Sequence, residues 1–322
     1  MSQPLFSVII PVYNRPQEVS EILSSLASQS FNDFEVIVVE DGSSLRSEGI
    51  VDAFRDRLKI EYFYKPNTGP GPTRNFGFSH AKGGYFVIFD SDCILPPDYF
   101  QIVVNALHEH AWDAWGGPDK AHENFTLKQR AMGYTMSSIL TTGGIRGAKK
   151  RVGWFQPRSF NMGISRNVYE VTRGFKFDRF AEDIEFSIRM KKAGFKVGLI
   201  PEAFVYHKRR TNFRQFFRQV YNFGRGRALV GLEHPEEIKI THWFPALFLL
   251  ATVFLFFIPF VSIKLFTVGA SLFVLYLSAI FLHSLIDNRS FAVAILSVPA
   301  ALCQLLGYGL GFLRERFQAG AK

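Results

Sequence analysis

The sequence predicts an α/β domain built on a mainly parallel sheet, followed by a C-terminal region of membrane helices. Three observations carry this prediction. Strand-like and helix-like segments alternate through the N-terminal part, three strand-like runs end in the polar loops PVYNR, EDGSS and DSD, and the C-terminal part holds long runs without a charge. Alternation of this kind argues for crossover connections that cover both faces of a parallel sheet.

Taken in order, FSVIIPVYN reads as a buried strand leading into a loop, and Pro16 to Gln29 as a helix with Val19, Ile22, Leu23 and Leu26 on one face. FEVIVVEDGS is the second strand, Ile50 to Leu58 a helix, IEYFYKP the third strand, Thr73 to Ala81 a helix, and YFVIFDSD the fourth strand. In open sheets of this class ligands bind beyond the carboxyl ends of the strands, so the three polar loops converge on one crevice.

With 322 residues, 48% hydrophobic and 16% aromatic, the chain can bury a sizeable core, and disorder is excluded. Cys93 and Cys303 are the only cysteines, which suggests neither a disulfide framework nor a zinc site and fits a reducing compartment. The opening MSQPLFSVIIPVYN lacks a cationic n-region and is too briefly apolar for a signal peptide, so the first part is expected in the cytoplasm.

Trp243 to Val261, Leu265 to Ile286 and Phe291 to Leu313 are uncharged, long enough for two or three membrane helices. The connection between the first two is so tight that they form a helical hairpin or one is re-entrant. Before them, HKRRTNFRQFFRQVYNFGRGRALVGL holds Lys208, Arg209, Arg210, Arg214, Arg218, Arg225 and Arg227 without an acid. Phe213, Phe216, Phe217, Val220, Tyr221 and Phe223 recur at near-helical spacing, so an amphipathic helix in the membrane interface is expected, its cations meeting anionic headgroups. This accounts for the net charge of +9 without a nucleic-acid partner, and the positive-inside rule puts the cluster in the cytoplasm. The expected division is an α/β domain over 1–207, a basic interfacial segment over 208–235 and a membrane region over 236–322.

The stretch YFVIFDSDC delivers two aspartates to one spot. Residues two apart on a strand share a face, so Asp90 and Asp92 project together if the extended geometry persists. A divalent cation such as Mg2+ or Mn2+ would relieve their repulsion, taking carboxylate oxygens together with substrate phosphates. Taken alone, an Asp-x-Asp is more often a solvated turn. The first strand lacks the G-x-G-x-x-G spacing of a dinucleotide site, and no P-loop is present. In NTGPGPTRNFG, Pro70 and Pro72 lack amide donors, which leaves Arg74 the better phosphate contact; a surface arginine at a helix start competes with that reading.

SVIIPVYNR, EVIVVEDGS, GPTRNFGFSHAKGGYFVIFDSD, FAEDIEFSIRMKKAGFKVGLIPEAFVYH and RQVYNFGRGRA, in this order, resemble the family 2 glycosyltransferases of the GT-A fold. The resemblance covers about residues 5 to 230. QRAMGYTMSSILTTGGIRG and the apolar tail look most like bacterial membrane-associated members that build surface polysaccharides.

The resemblance implies that Pro11, Tyr13 and Asn14 line the nucleotide pocket, that Asp41 binds the base, and that Asp90 faces the ribose while Asp92 holds Mn2+ or Mg2+. His207 sits where related enzymes often carry another metal ligand. Asp183 matches the family's catalytic base, with helix capping as the competing role, and Glu182 could share its work. The implied activity is inverting transfer of a sugar from a nucleotide-sugar donor to a lipid-linked or polysaccharide acceptor. The Q-x-x-R-W of processive synthases is missing, which favours single addition; Trp115 or Trp154 could offer a stacking face or merely pack. A catalytically silent membrane-anchored protein that binds nucleotide sugar is the alternative.

Overall fold

The computed structural model describes residues 3–120, 126–142, 154–207 and 211–320. Contacts divide the chain into two units, one of residues 1–122 and 154–208, the other of residues 123–153 and 209–322.

In chain order the first unit opens with β1 (Phe6–Val12), α1 (Pro16–Leu26), β2 (Phe34–Asp41), α2 (Glu48–Asp52), β3 (Ile60–Lys65), α3 (Pro70–His80), β4 (Tyr85–Phe89), β5 (Cys93–Ile94), α4 (Tyr99–His110), β6 (Ala114–Gly116) and β7 (Asp119–Lys120). After α5 (Leu127–Ser137) and α6 (Ile139–Thr142), which belong to the second unit, it continues with β8 (Asn161–Ser165), α7 (Arg166–Thr172), α8 (Glu182–Lys192), β9 (Val197–Leu199) and β10 (Val205–His207). Seven strands form one sheet in the order β3-β2-β1-β4-β8-β6-β9. β8 runs antiparallel to both neighbours, and the other pairs are parallel. β5, β10 and β7 make a small second sheet.

Alternation of side chains splits the core into two layers. Phe6, Val8, Ile10 and Val12 of β1 join Val36 and Val38 of β2 under α1 and α4, where Ile22, Leu23 and Phe100 are buried. Ile9, Ile37, Val39 and Ile88 face the other way, against Phe78 of α3 and Phe186 and Met190 of α8. Each such fully buried side chain contributes about 1.5–3 kcal/mol of hydrophobic stabilisation, and both layers converge on the central strands β1 and β4.

Several helix boundaries differ from expectation; α1, expected to run to Gln29, ends at Leu26. The helix expected over Ile50 to Leu58 stops at Asp52, because the chain must reverse into β3 at Ile60. Val51, Phe54 and Leu58 stay buried through turns, with the Leu58 amide bonded to the Phe54 carbonyl at 2.9 Å. α3 begins at Pro70 rather than Thr73, since prolines are tolerated in a first turn whose amides lack helical partners.

The second unit continues with α9 (Phe213–Glu233), α10 (Phe244–Phe257), α11 (Ile263–Asn288) and α12 (Phe291–Gly320). The expected amphipathic helix exists as α9, but its apolar face is not free for lipid: Phe216 and Val220 are buried in a cluster with Met132 and Ala300. A Cβ at Gly224 would lie 2.1 Å from the Tyr308 carbonyl oxygen, and one at Gly311 2.0 Å from that of Tyr221, so glycine permits the close approach of α9 and α12. Arg225 and Glu315 pair across it at 2.7 Å. Lys208, Arg209 and Arg210 lie outside the described residues, as do residues 143–147 of QRAMGYTMSSILTTGGIRG. The rest of that segment forms α5 and α6, tied to α11 by the Tyr276 hydroxyl on the Leu140 carbonyl at 2.6 Å. α11 and α12 are long and apolar enough to cross a membrane, whereas the third expected span is the shorter run Phe244–Phe260. Exposed Ile263, Leu265, Val268, Leu272 and Leu275 line α11.

Candidate active site

At the carboxyl end of β1, Tyr13 is exposed, and Asn14 takes a left-handed conformation (φ 53°). Asn14 stitches this loop to the one after β2. Its Oδ1 accepts from the Ser44 and Leu45 amides at 2.9 and 3.0 Å, and its own amide donates to Ser43 Oγ at 2.7 Å. Pro11 remains inside β1, paired with Val39 of β2.

Asp41 ends β2, buried. Its carboxylate accepts from the Lys65 ammonium and from the Thr68 and Gly69 amides, the latter two at 2.9 Å. Gly69 can aim its amide there because it adopts φ +100°. Burial alone would raise the Asp41 pKa, but Lys65 and these two amides outweigh it and hold the carboxyl below its ordinary value. The residue expected to bind the base thus organises the loop before α3.

β4 ends at Phe89, and a turn follows in which the Cys93 amide bonds the Asp90 carbonyl at 3.1 Å. The extended geometry therefore does not persist, and the two aspartates face different partners. Asp90 Oδ1 accepts from Arg74 Nη2 at 2.8 Å. Asp92 accepts from Arg15 on Oδ2 and lies 3.1 Å from His207 Nε2 through Oδ1. Burial pushes the Asp92 pKa up, but His207 and Arg15 pull it further down, well below the carboxylate range. The same pairing raises His207 against the opposing effect of its burial.

β10 pairs His207 with Cys93 of β5, and the ligand atoms of Asp92, Cys93 and His207 all lie within 4.8 Å of one another. A carboxylate oxygen beside an imidazole suits Mn2+ and similar divalent ions. The His207 ring stacks on Phe160 with centroids 4.9 Å apart, which fixes its orientation.

Arg74, expected to meet a phosphate, is only 3% exposed and lies between Asp90 and Glu182, whose Oε1 takes Nη1 at 2.8 Å. Glu182 and Asp183 open α8 behind Ala181, which holds φ 55°. Burial raises the Glu182 pKa to about 7, opposed by Arg74 and assisted by Asp183. Asp183 lies 3.4 Å from Arg158 through Oδ2 and takes the Ile184 amide on Oδ1 at 2.8 Å. The Ile184 amide bond gives its helix-end role a geometric basis.

Trp115 is core: it is fully buried, and Gly163 makes room for its ring, since a Cβ there would lie 2.0 Å from Trp115 Cζ2. It offers no sugar-stacking face. Arg15 and Arg158, which the sequence reading passed over, are the cations beside Asp92 and Asp183. Arg15 directly follows PVYN in a crevice loop, a signal that could have singled it out; Arg158 is far from any recognised motif.

The fold and site thus define a class: an α/β domain with carboxylates, a histidine and cations gathered at the carboxyl ends of its central strands. The family model for glycosyl transferase family 2 matches residues 7–180, and the chain belongs to that family. It is 39% identical over 106 residues to an uncharacterized glycosyltransferase of Rickettsia typhi, covering 33% of each chain. It is 35% identical over 112 residues to the poly(ribitol-phosphate) beta-N-acetylglucosaminyltransferase TarS of Staphylococcus aureus, 34% of this chain and 20% of that one. The chain therefore matches a third of the first relative and a fifth of the second.

Among solved structures, a mannosyltransferase from Pyrobaculum calidifontis, in complex with GDP-Man and Mn2+, aligns over 99% of this chain and 88% of its own with TM-score 0.60 at 17% identity. Residues 1–349 of S. aureus TarS align over 98% and 91% with TM-score 0.51 at 19% identity. The fold is GT-A.

Proposed function

We propose that this glycosyltransferase moves one sugar, with inversion, from a nucleotide-diphosphate sugar to a lipid-linked or polysaccharide acceptor at the cytoplasmic face of a membrane. The observation that carries the reading is the pairing of Asp92 with His207, 3.1 Å apart just beyond β4. Asp92 and His207 would hold a divalent cation, Mn2+ or Mg2+, whose charge offsets that of the departing nucleoside diphosphate. GDP-Man with Mn2+ in one structural neighbour and UDP-GlcNAc in another support a nucleotide-sugar donor.

Asp183 is the base. Its carboxylate takes the proton of the acceptor hydroxyl while that oxygen bonds to the anomeric carbon, and the bond from that carbon to the diphosphate oxygen breaks. Arg158 beside it orients the carboxylate. Pro11, Tyr13, Asn14, Asp41 and Asp90 line the nucleotide pocket. The exposed apolar face of α11 supports a membrane location.

Transfer assays with a panel of UDP-, GDP- and dTDP-sugars, with and without Mn2+, test the reading. The expected product is free nucleoside diphosphate, and pyrophosphate would reject glycosyl transfer. Asp92→Ala should abolish Mn2+-dependent turnover and Asp183→Asn should slow transfer by about 10²–10⁴-fold, the usual weight of general base catalysis. Normal rates in either variant would remove the corresponding role.

A further inference from the structure

Arg74 reaches two carboxylates distant in sequence, Asp90 after β4 and Glu182 at the start of α8, each at 2.8 Å through a different terminal nitrogen. Its guanidinium is buried and sits 5.4 Å from the ring centre of Phe175. The remaining nitrogen, Nε, is buried without a hydrogen-bond partner among the described residues. The next residue, Asn75, locks the Phe175 backbone by bonding both its amide and its carbonyl at 2.8 Å. One turn of α3 thus holds the end of β4, the segment before α8 and the first residue of α8.

We propose that Arg74 is a positioning residue: it spaces Asp90 from Glu182, and thereby from Asp183, and does not contact the donor phosphates. The proposal rests on the glycosyl-transfer reading for its kinetic consequence, but not for the clamp itself. A planar fork can satisfy two carboxylates in fixed directions, whereas the single ammonium of lysine cannot impose that geometry. Each terminal nitrogen already holds a carboxylate and the side chain is only 3% exposed, so its remaining N–H groups are not presented to a phosphate. Loosening the clamp lets the opening of α8 shift relative to the turn after β4. Displacements of about 1 Å at a reacting centre cost about a hundredfold in rate.

The test has two arms on the full chain. Chemical unfolding of Arg74→Met, Glu182→Gln, Asp90→Asn and the two double variants reads the clamp. Non-additivity is expected, because Glu182→Gln or Asp90→Asn removes a charge that Arg74→Met strands; additive changes in both cycles would overturn the proposal. Kinetics and calorimetry with UDP or GDP plus Mn2+ then read the role. Arg74→Lys should lower kcat about a hundredfold, with the loss in kcat rather than in diphosphate affinity. A variant that keeps kcat but loses diphosphate affinity would make Arg74 a phosphate ligand instead. If the wild type transfers no sugar from any donor, the proposed function fails while the unfolding cycles still decide the clamp.

Discussion

Asp41 and Glu182 show how a carboxyl group acquires opposite properties from its surroundings. Asp41 is buried but saturated by Lys65 and two amides, and its pKa is lowered. Native Asp41 therefore binds its proton more weakly than the unfolded chain does, so its stabilisation is present above the unfolded pKa of about 3.9 and is lost as pH falls through the lower native value. Asp41→Asn should cost about 1–3 kcal/mol at neutral pH, with a smaller deficit in acid, measured by urea unfolding at several pH values.

Glu182 has the reverse sign. Its native pKa, raised to about 7, means the native state holds the proton more tightly than the unfolded chain, whose value is near 4.3. Its contribution is complete below about 4.3 and declines as pH rises to about 7. Glu182→Gln should flatten the fall in stability across that window, and an unchanged slope would reject the assignment.

At the scale of elements, close backbone approaches decide what α3 and α9 can do. A Cβ at Gly71 would lie 2.1 Å from the Phe177 carbonyl oxygen, while one at Gly84 would make ordinary contact at 3.7 Å from the Leu5 carbonyl. Gly71→Ala should therefore destabilise by about 1–3 kcal/mol in denaturant titrations, and Gly84→Ala by much less. Because Gly71 also donates its amide to the Asp178 carbonyl at 2.9 Å, the strain enters the segment leading to α8. On the apolar side, the expectation of an interfacial helix correctly found α9 but misjudged its partner. Helical periodicity marks a face to be covered, and the small residues of α12 that cover it are some eighty positions away in the chain.

For the whole molecule, the two units differ in what surrounds them. The first keeps most of its large apolar side chains inside two core layers. The second exposes Phe254, Phe256, Phe257, Phe260 and Val261 beside the exposed apolar face of α11, the kind of contiguous apolar surface that marks a contact with a membrane or another protein. The full chain should sediment with membranes, resist extraction by high salt and require detergent. Release by salt alone would mean that its basic residues, and not its helices, hold it there.

The order of strands and helices was legible because burial on both faces writes continuous apolar runs, and the uncharged tail was legible because composition alone encodes it. The sequence by itself also singled out Asp90, Asp92, Asp183 and His207 through recognisable motifs. Only the tertiary structure separated the two aspartates, set Arg74 between Asp90 and Glu182, and set Arg15 on Asp92. Those outcomes depend on contacts between residues far apart in the chain and on burial, which sets both partner and pKa. Local pattern carries information about neither.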